Sequence, residues 1–153
     1  MLEVEDTAEL ATMVGRTLGT GDWLTVDQDM IDAFARATGD DNWIHVDVER
    51  AAREMPGGRT IAHGFLTLSL LPKLSRTVYR VRRRGRALNY GTNRVRFTAP
   101  VPSGARIRLT QTLKGAEETA AGTRLTFDCV VEVEGSARPA MVAESMVLVA
   151  KDG

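Results

Sequence analysis

The segment GDDNWIH, residues 39–45, holds the side chains of this sequence that are best suited to acid–base chemistry. It contains two adjacent carboxylates, an amide, an indole and one of only two histidines among 153 residues. A carboxylate and an imidazole that share one water molecule can act as general base and general acid toward it. Asp40 and His45 are therefore the candidate catalytic pair.

The residues before this segment have the pattern of an amphipathic helix. Thr25 and Gln28 have the spacing of a capping box, which satisfies free amides at a helix start. The apolar face that follows at helical spacing is formed by Ile31, Phe34, Ala35 and Thr38. Gly39 is a typical helix-ending residue. Asp40 is thus predicted to lie just beyond a helix C-terminus.

A second short helix is predicted after the segment. Asp47 fits its N-cap, and the stretch VERAAREM ends before Pro56. Residues 40–46 are therefore expected to form a short loop with a helix at each end, which would hold Asp40 and His45 in fixed positions. Spacing alone equally allows a helix C-cap and a turn, with His45 as an ordinary surface or core residue.

A buried helix is predicted in the stretch TIAHGFLTLSLLPKL. The stretch is apolar nearly all round from Ile61 to Leu71, and Pro72 is expected to end or kink the helix. A helix without a polar face must be buried on most sides. If the helix begins at the dipeptide HG, the free backbone amides near Gly64 face a pocket and favour negative charge there.

The second half of the chain has the alternating pattern of β-strands. The apolar positions of two such stretches are Ile107, Leu109, Leu113, Leu125, Phe127, Cys129, Val131 and Val133. Further strands are predicted in VRFTAPVPSG and AMVAESMVLVA, and short turns between sequential strands indicate an antiparallel sheet with one buried face. One apolar helix with such a sheet gives an α+β fold, the hot-dog arrangement, in which the sheet wraps around a buried central helix. We expect one domain over residues 1–153, with about the first 20 residues as an N-terminal extension.

Composition excludes several classes of function. Lysine plus arginine equals aspartate plus glutamate, at 20 each, so no global charge indicates a nucleic-acid or membrane partner. The single cysteine, Cys129, cannot form an internal disulfide. The acidic start MLEVEDTAEL does not have the pattern of a signal peptide. A cytoplasmic location is therefore expected. Two histidines without a cysteine cluster make a poor zinc site, and we predict no metal.

Three stretches carry a resemblance to a known family. ATGDDNWIHVD, IAHGFLTLSLL and NYGTNRVRFTAPVPSG resemble the MaoC-like, R-specific enoyl-CoA hydratases, and are most similar to the nodulation-protein-N-like branch, over roughly residues 25–110. The family pattern Gly-Asp-x-Asn-Pro-aliphatic-His is matched by Gly39, Asp40, Asn42, Ile44 and His45. Trp43 stands where most members have proline, and the similar branch also carries tryptophan.

The resemblance implies roles for five residues. Asp40 and His45 would be the catalytic pair, and Asn42 would orient the loop or a water molecule. The amide of Gly64 would bind the thioester carbonyl as negative charge develops on it, and His63 would support substrate binding. The resemblance implies no cofactor, because the coenzyme A thioester is itself the substrate.

The function that follows is hydration of trans-2-enoyl-CoA to R-3-hydroxyacyl-CoA, or the reverse dehydration. The stereochemistry comes from the resemblance alone. One alternative is a hot-dog thioesterase, which typically needs a carboxylate on the buried helix, and HGFLTLSLLPKL contains none. The other is a non-catalytic acyl-CoA binding module, which would need a pocket but would not need both Asp40 and His45.

Two further expectations concern partners. A lone sheet around one helix leaves strand edges exposed, and similar proteins associate through such edges, so we expect a homodimer. The segment YRVRRRGR places five arginines between Arg80 and Arg86. A solvated or strand-edge segment is the usual explanation of such a run, a docking patch for coenzyme A phosphates is the functional alternative, and a nucleic-acid patch ranks last.

Overall fold

The computed structural model describes residues 1–151, and residues 152 and 153 of the predicted domain lie outside the described residues. The strands are β1 (Leu2–Asp6), β2 (Thr17–Thr20), β3 (Leu24–Val26), β4 (Tyr79–Arg83), β5 (Ala87–Phe97), β6 (Ala105–Thr119), β7 (Gly122–Val133) and β8 (Met141–Ala150). The helices are α1 (Thr7–Ala11), α2 (Gln28–Thr38), α3 (Trp43–Val46), α4 (Val48–Glu54), α5 (Gly64–Ser69) and α6 (Leu71–Val78). Among residues 1–151, no helix is both long and apolar enough to span a bilayer.

The predicted antiparallel sheet is present and curves around the central helical segment. Its strand order is β2-β6-β7-β8-β5, and β3 also pairs with β6. Every pairing within this sheet is antiparallel. The predicted buried face is confirmed, since the side chains at positions 107, 109, 113, 125, 127, 129, 131 and 133 are all buried. They pack against the central helices to form the core.

Strands β5 and β6 follow each other in the sequence but do not pair. Strand β5 lies at the sheet edge beside β8. The connection from β5 to β6 contains Pro100 and Pro102, which have no amide hydrogen to donate to a strand ladder. This connection instead pairs with the segment that leads into α5, where the amide of Ala62 donates to the carbonyl of Val101 at 2.8 Å. The chain is therefore anchored directly before Gly64.

The central helix is interrupted rather than continuous. The regular part begins at Gly64, not at Ile61, because residues 60–62 are held in extended pairing. The break falls at Leu70, and α6 then continues to Val78 with Pro72 in its first turn, where a missing amide costs no hydrogen bond. Phe65 is 68% exposed in the single chain, so the apolar segment is not covered on every side.

The helices around the candidate pair follow the prediction with two corrections. Gly39 ends α2 in a left-handed conformation, with φ of 77°, and Asp47 caps α4 as predicted. The N-cap of α2 is Asp27, whose carboxylate accepts from the amide of Met30, so the predicted capping box is wrong. The predicted loop is itself partly helical, because α3 forms one turn within it.

The N-terminal segment is part of the folded structure. Strand β1 pairs in parallel with β4, and β2 pairs with β6. The pairing of β1 with β4 sets Arg82 against Glu3 at 3.0 Å, and Arg83 against Glu5 and Asp6, each at 3.0 Å. The strand-edge interpretation of the arginine run therefore accounts for these two arginines. Docking of coenzyme A phosphates stays an untested hypothesis for the others.

Candidate active site

The structure brings Asp40, His45 and His63 together. One ligand-type atom of each side chain, a carboxylate oxygen or a ring nitrogen, lies within 4.8 Å of the corresponding atoms of the other two. Asp40 is exposed, whereas His45 and His63 are 8% and 2% exposed. The carboxylate of the cluster is therefore open to solvent, whereas both imidazoles are buried. That arrangement suits a water molecule bound between a base and a hydrogen-bonding ring.

The orientation of His45 is set by a backbone carbonyl. Its Nδ1 lies 2.6 Å from the carbonyl oxygen of Ile61. A carbonyl only accepts hydrogen bonds, so Nδ1 must carry the hydrogen and Nε2 is left with a lone pair in the neutral ring. In return, the amide of Ile61 donates to the carbonyl of Ile44 at 3.0 Å, so α3 and the segment before α5 hold each other. His45 thus presents an acceptor nitrogen in a fixed direction.

His63 lies behind this pair and holds the backbone of Asp40. Its Nε2 donates to the carbonyl of Asp40 at 2.8 Å, and its ring stacks on that of His45 with centroids 3.8 Å apart. Phe34 covers it from α2 with a centroid distance of 4.9 Å. Among the described residues, the buried Nδ1 of His63 has no hydrogen-bond partner. The geometry indicates that His63 positions Asp40, while its predicted role in substrate binding stays a prediction.

Gln28 is a positioning residue that the sequence reasoning missed. Its Nε2 donates to the carbonyl of His45 and to the carboxylate of Asp32, each at 2.8 Å. Its Oε1 accepts from the hydroxyl of the buried Thr60 at 2.5 Å. Gln28 thereby ties α2 to α3 and to the segment before α5. The sequence did contain a signal for this role, because Gln28 is a polar residue that lies three positions before Ile31 and so falls on the apolar face of α2.

Asn42 and Asp41 flank the pair without joining it. The side chain of Asn42 accepts from the amide of Ile44 at 3.3 Å and so caps α3. This contact fits the predicted loop-orienting role of Asn42. Asp41 is exposed. Trp43, at the position where the family pattern has proline, places its ring 4.0 Å from the guanidinium of Arg50, a cation–π contact that holds α3 against α4.

A cleft of about 310 Å³ connects His45 to the start of the central helix, and its lining includes Gly64, Thr67 and Phe97. Within residues 1–151, the amides of Gly64 and Phe65 make no hydrogen bond. A Cβ atom at Gly64 would lie only 2.7 Å from a ring carbon of Phe97. The absence of a side chain therefore leaves a free amide at the floor of a narrow cleft.

The cluster of Asp40, His45 and His63 is also the group among the described residues that has the residue types for a metal site. Zinc needs lone pairs that converge at tetrahedral angles on one point. The two imidazoles are stacked with their planes only 25° apart, so their in-plane lone pairs lie in nearly parallel layers. In addition, one nitrogen of each ring donates to a backbone carbonyl. This donor set fits a bound water better than a metal ion.

Sequence comparison identifies close relatives. The pattern of the MaoC like domain family matches residues 9–133. A protein of Mycobacterium tuberculosis (strain ATCC 25618 / H37Rv) named 3-hydroxyacyl-thioester dehydratase Z is 53% identical over 148 residues, which cover 96% of this chain and 97% of that protein. Nodulation protein N of Rhizobium leguminosarum bv. viciae is 43% identical over 147 residues, which cover 95% of this chain and 91% of that protein.

Solved structures share the fold. The R-hydratase PhaJ1 from Pseudomonas aeruginosa in the unliganded form superposes with a TM-score of 0.71 at 22% identity, covering 91% of this chain and 83% of that one. The (R)-hydratase from A. caviae involved in PHA biosynthesis superposes with a TM-score of 0.71 at 23% identity, covering 89% and 96%. The predicted hot-dog fold is thereby confirmed. By the extent of the sequence match and the identity to its relatives, this chain belongs to the MaoC-like domain family.

Proposed function

We propose that the chain is a hydro-lyase that interconverts 3-hydroxyacyl thioesters and trans-2-enoyl thioesters. The observation that carries this proposal is one cleft that joins the buried imidazole of His45 to the free amide of Gly64, with the Asp40 carboxylate beside the imidazole. The name of the relative that is 53% identical, 3-hydroxyacyl-thioester dehydratase Z, supports the same chemistry. Coenzyme A is the proposed carrier of the acyl group, and R is the proposed configuration of the hydroxyl.

Each group in the cleft has a part in the hydration. A water molecule between Asp40 and His45 donates one hydrogen bond to the carboxylate and one to Nε2 of His45. As the water oxygen bonds to C3 of the enoyl group, one of its protons passes to the pair, and the pair returns a proton to C2. The net result is addition of one water molecule, and the pair ends in its starting protonation state.

Stabilisation of the enolate requires a donor at the thioester oxygen. Negative charge moves onto this oxygen when water adds to C3, and the amide of Gly64 is the proposed donor. One such donor contributes about 3 to 4 kcal/mol to the transition state. Because Gly64 begins α5, its amide is free of the helix ladder, and the missing Cβ lets the carbonyl approach.

The rival functions fit the structure less well. Helices α5 and α6 run from Gly64 to Val78 and carry no carboxylate, so they lack the water-activating group that a hot-dog thioesterase typically uses. A non-catalytic binding module would not require the hydrogen bond that fixes the tautomer of His45. It would also not require the hydrogen bond from His63 that holds the backbone of Asp40. The hydro-lyase uses both features.

Neither a metal ion nor a cofactor is needed in this proposal. The carboxylate and the imidazole supply the proton transfers, and a backbone amide supplies the charge stabilisation. We also propose a cytoplasmic location, which fits the buried free thiol of Cys129.

We propose a homodimer that pairs through β5. This strand has 11 residues, forms one edge of the sheet and is exposed along most of its length. Leu88 and Tyr90 are 57% and 55% exposed on it, and Phe65 is exposed on the adjacent helix α5. A long edge strand that exposes apolar side chains such as Leu88 and Tyr90 is a pairing surface that a monomeric protein would have to protect. Two solved structures with a similar fold, ChsH1-ChsH2 and HadBC of Mycobacterium tuberculosis, are complexes.

The function is tested by incubating the purified protein with crotonyl-CoA and following loss of the enoyl absorbance. Wild-type protein is expected to hydrate this substrate. Asp40→Asn and His45→Ala should each lower kcat by about 10²- to 10⁴-fold with a much smaller change in KM, because each removes an acid–base group and little coenzyme A binding. The double variant should be little worse than the worse single variant.

Asp41→Asn is the matched control for Asp40→Asn, since it removes the neighbouring carboxylate without touching the cluster, and it should be nearly silent. If a folded Asp40→Asn variant keeps more than about a tenth of the wild-type kcat, the assignment of the pair is wrong.

Gly64→Ala tests the close approach at the amide. The new methyl group meets the ring of Phe97, so the amide or the ring must move. A displacement of about 1 Å can cost about 10²-fold in rate, and we expect kcat on crotonyl-CoA to fall by roughly that factor. Adding Phe97→Ala should recover part of the loss if the clash is its cause. Full kcat in the Gly64→Ala variant would show that the reaction does not need the close approach that this glycine allows.

Chelation tests the absence of a metal. Dialysis against EDTA should leave kcat on crotonyl-CoA within error of the untreated enzyme, because the proton transfers belong to Asp40 and His45. Thermal unfolding should also be unchanged, since a metal that bound only the folded state would raise its stability. Loss of activity that is restored by adding zinc would assign the cluster of Asp40, His45 and His63 to a metal instead.

Light scattering tests the assembly. At micromolar concentration the wild-type mass should be that of two chains. Replacement of both exposed apolar residues, Leu88→Arg with Tyr90→Arg, should give a monomer, because four like charges would face one another across the paired edges. Val48→Arg is the control, since Val48 is also exposed but lies on α4. A monomeric wild-type mass would refute the dimer.

A further inference from the structure

A second and larger cavity lies between the central helices and the sheet. Its volume is about 1010 Å³, which is at the upper end of the range for pockets that enclose small organic ligands. One wall is formed by residues of α5 and α6, the other by β5, β6 and β8. The catalytic cleft ends on the helix at Thr67, and this cavity begins at Leu68. The two cavities therefore lie next to each other along the gap between the central helices and the sheet, without a shared lining residue.

A cluster of polar side chains forms part of the wall of this cavity. The hydroxyl of Ser75 on α6 donates to Oε1 of Gln111 on β6 at 2.7 Å. Nε2 of Gln111 lies 3.6 Å from the sulfur of Cys129, and that sulfur lies 3.4 Å from the hydroxyl of Ser145 on β8. Ser75, Gln111 and Ser145 line the cavity. The polar groups thus come from both sides of the gap.

Gln111 breaks the apolar pattern of β6. Its neighbours on the inner face, Leu109 and Leu113, are fully buried, and Gln111 itself is only 3% exposed. A buried primary amide costs free energy unless its donors and acceptor are satisfied. Its contact with Cys129 leaves the amide weakly satisfied, because a thiol is a poor acceptor. The second N–H of Gln111 is bonded to no group within residues 1–151.

The groups around Gln111 are uncharged and mostly apolar. Burial raises the pKa of the Tyr79 phenol and of the Cys129 thiol, so both are neutral near pH 7. The rest of the lining is mixed: aliphatic and aromatic side chains such as Leu71, Phe127 and Val147 alternate with polar ones. A ligand that reaches Gln111 would therefore be apolar where it passes Leu71, Phe127 and Val147, with an oxygen placed at the amide.

The fold fixes where that oxygen would lie along the substrate. Ser75 follows Gly64 by 11 positions, which is at most about 16 Å along α5 and α6, because their axis is interrupted at Leu70. An acyl chain whose thioester carbonyl binds at Gly64 and which extends along the helix enters the cavity at Leu68. The polar cluster is then met far from the thioester, near the distal end of a medium-length or long chain.

We propose that Gln111, with Ser75, binds a hydroxyl or carbonyl oxygen on the distal part of the acyl group, so that the preferred substrates are oxygenated acyl thioesters. The inference rests on the proposed hydro-lyase function and adds the chemical class of its substrate. Gln111 is a specificity residue in this proposal and takes no part in the hydration. The arginines at the open side of the cavity, Arg76, Arg80 and Arg84, are a separate feature that would select a carboxylate instead.

The test compares plain and ω-hydroxylated trans-2-enoyl-CoA substrates of equal chain length, from octenoyl to tetradecenoyl. At the length that places the hydroxyl at Gln111, wild-type kcat/KM should favour the ω-hydroxylated substrate by at least about tenfold, because the plain chain leaves the second N–H of the buried amide unpaired. Gln111→Leu should abolish or reverse this ratio. Ser75→Ala should reduce the ratio, and it provides the test if the Gln111→Leu variant does not fold.

Thr112→Val is the matched control, since it removes a polar group from the next position of β6, where the side chain bonds Thr17 on the other face. It should keep the wild-type ratio. A wild-type preference for the plain chain at every length, or equal loss of both substrates in Gln111→Leu, would overturn the proposal. A preference for ω-carboxylated substrates that Gln111→Leu does not change would also overturn it and assign selection to the arginines. Absence of any crotonyl-CoA hydration by wild type would instead refute the hydro-lyase function itself.

Discussion

The hydrogen bond from Nδ1 of His45 to the carbonyl of Ile61 is the contact on which the site depends. It fixes the tautomer of the ring, and it joins α3 to the segment that leads into α5. The same segment is held from the other side by its pairing with residues 101–103. The free nitrogen of His45 and the free amide of Gly64, which are the two groups that the proposed reaction uses, are therefore positioned by one stretch of extended backbone.

The site is supported by polar groups that are themselves fully engaged. Gln28 bonds Asp32 on its own helix and joins that helix to two other segments, through the carbonyl of His45 and the hydroxyl of Thr60. His63 bonds the carbonyl of Asp40 while stacking on His45. Buried polar groups of this kind rigidify a structure when all of them are satisfied. The exception is the free lone pair of His63, which lies in the cluster where the water is proposed to bind. The polar support of the site is thus satisfied apart from this one buried nitrogen.

The gap between helix and sheet gives the molecule two chemically different regions. Near Gly64 the gap is narrow and ends in free backbone amides, which suits a carbonyl that gains charge. Beyond Leu68 the larger cavity is lined by aliphatic, aromatic and polar side chains around a buried amide. The break at Leu70 lies within the stretch that lines this larger cavity. In the proposed function, the first residue of α5 serves the reaction and the later residues of the central helices serve the recognition of the acyl group.

Local patterns in the sequence determined most of the architecture. Strict alternation on β7 identified a buried sheet face, because side chains on a strand point to opposite sides, and Gly39 and Asp47 marked helix ends through their own backbone preferences. The motif that contains Asp40 and His45 identified the family and the candidate pair. The capping box at Thr25 was wrong because Thr25 lies in β3 and the helix begins two residues later, where the carboxylate of Asp27 accepts from the amide of Met30. Gln28 instead bonds the carbonyl of His45.

Only the tertiary structure decided which groups complete the site. The carbonyl of Ile61, the brace from Gln28 and the stacking of His63 on His45 join positions 16 to 18 residues apart in the sequence, with no local pattern to signal them. The edge position of β5 and the meeting of Ser75 with Gln111 likewise depend on how the sheet closes around the helix. Sequence determined the residue types and the periodicity, because both are local properties of the chain. Packing decided the partners, because a hydrogen bond between distant segments forms only after both have been placed by the core.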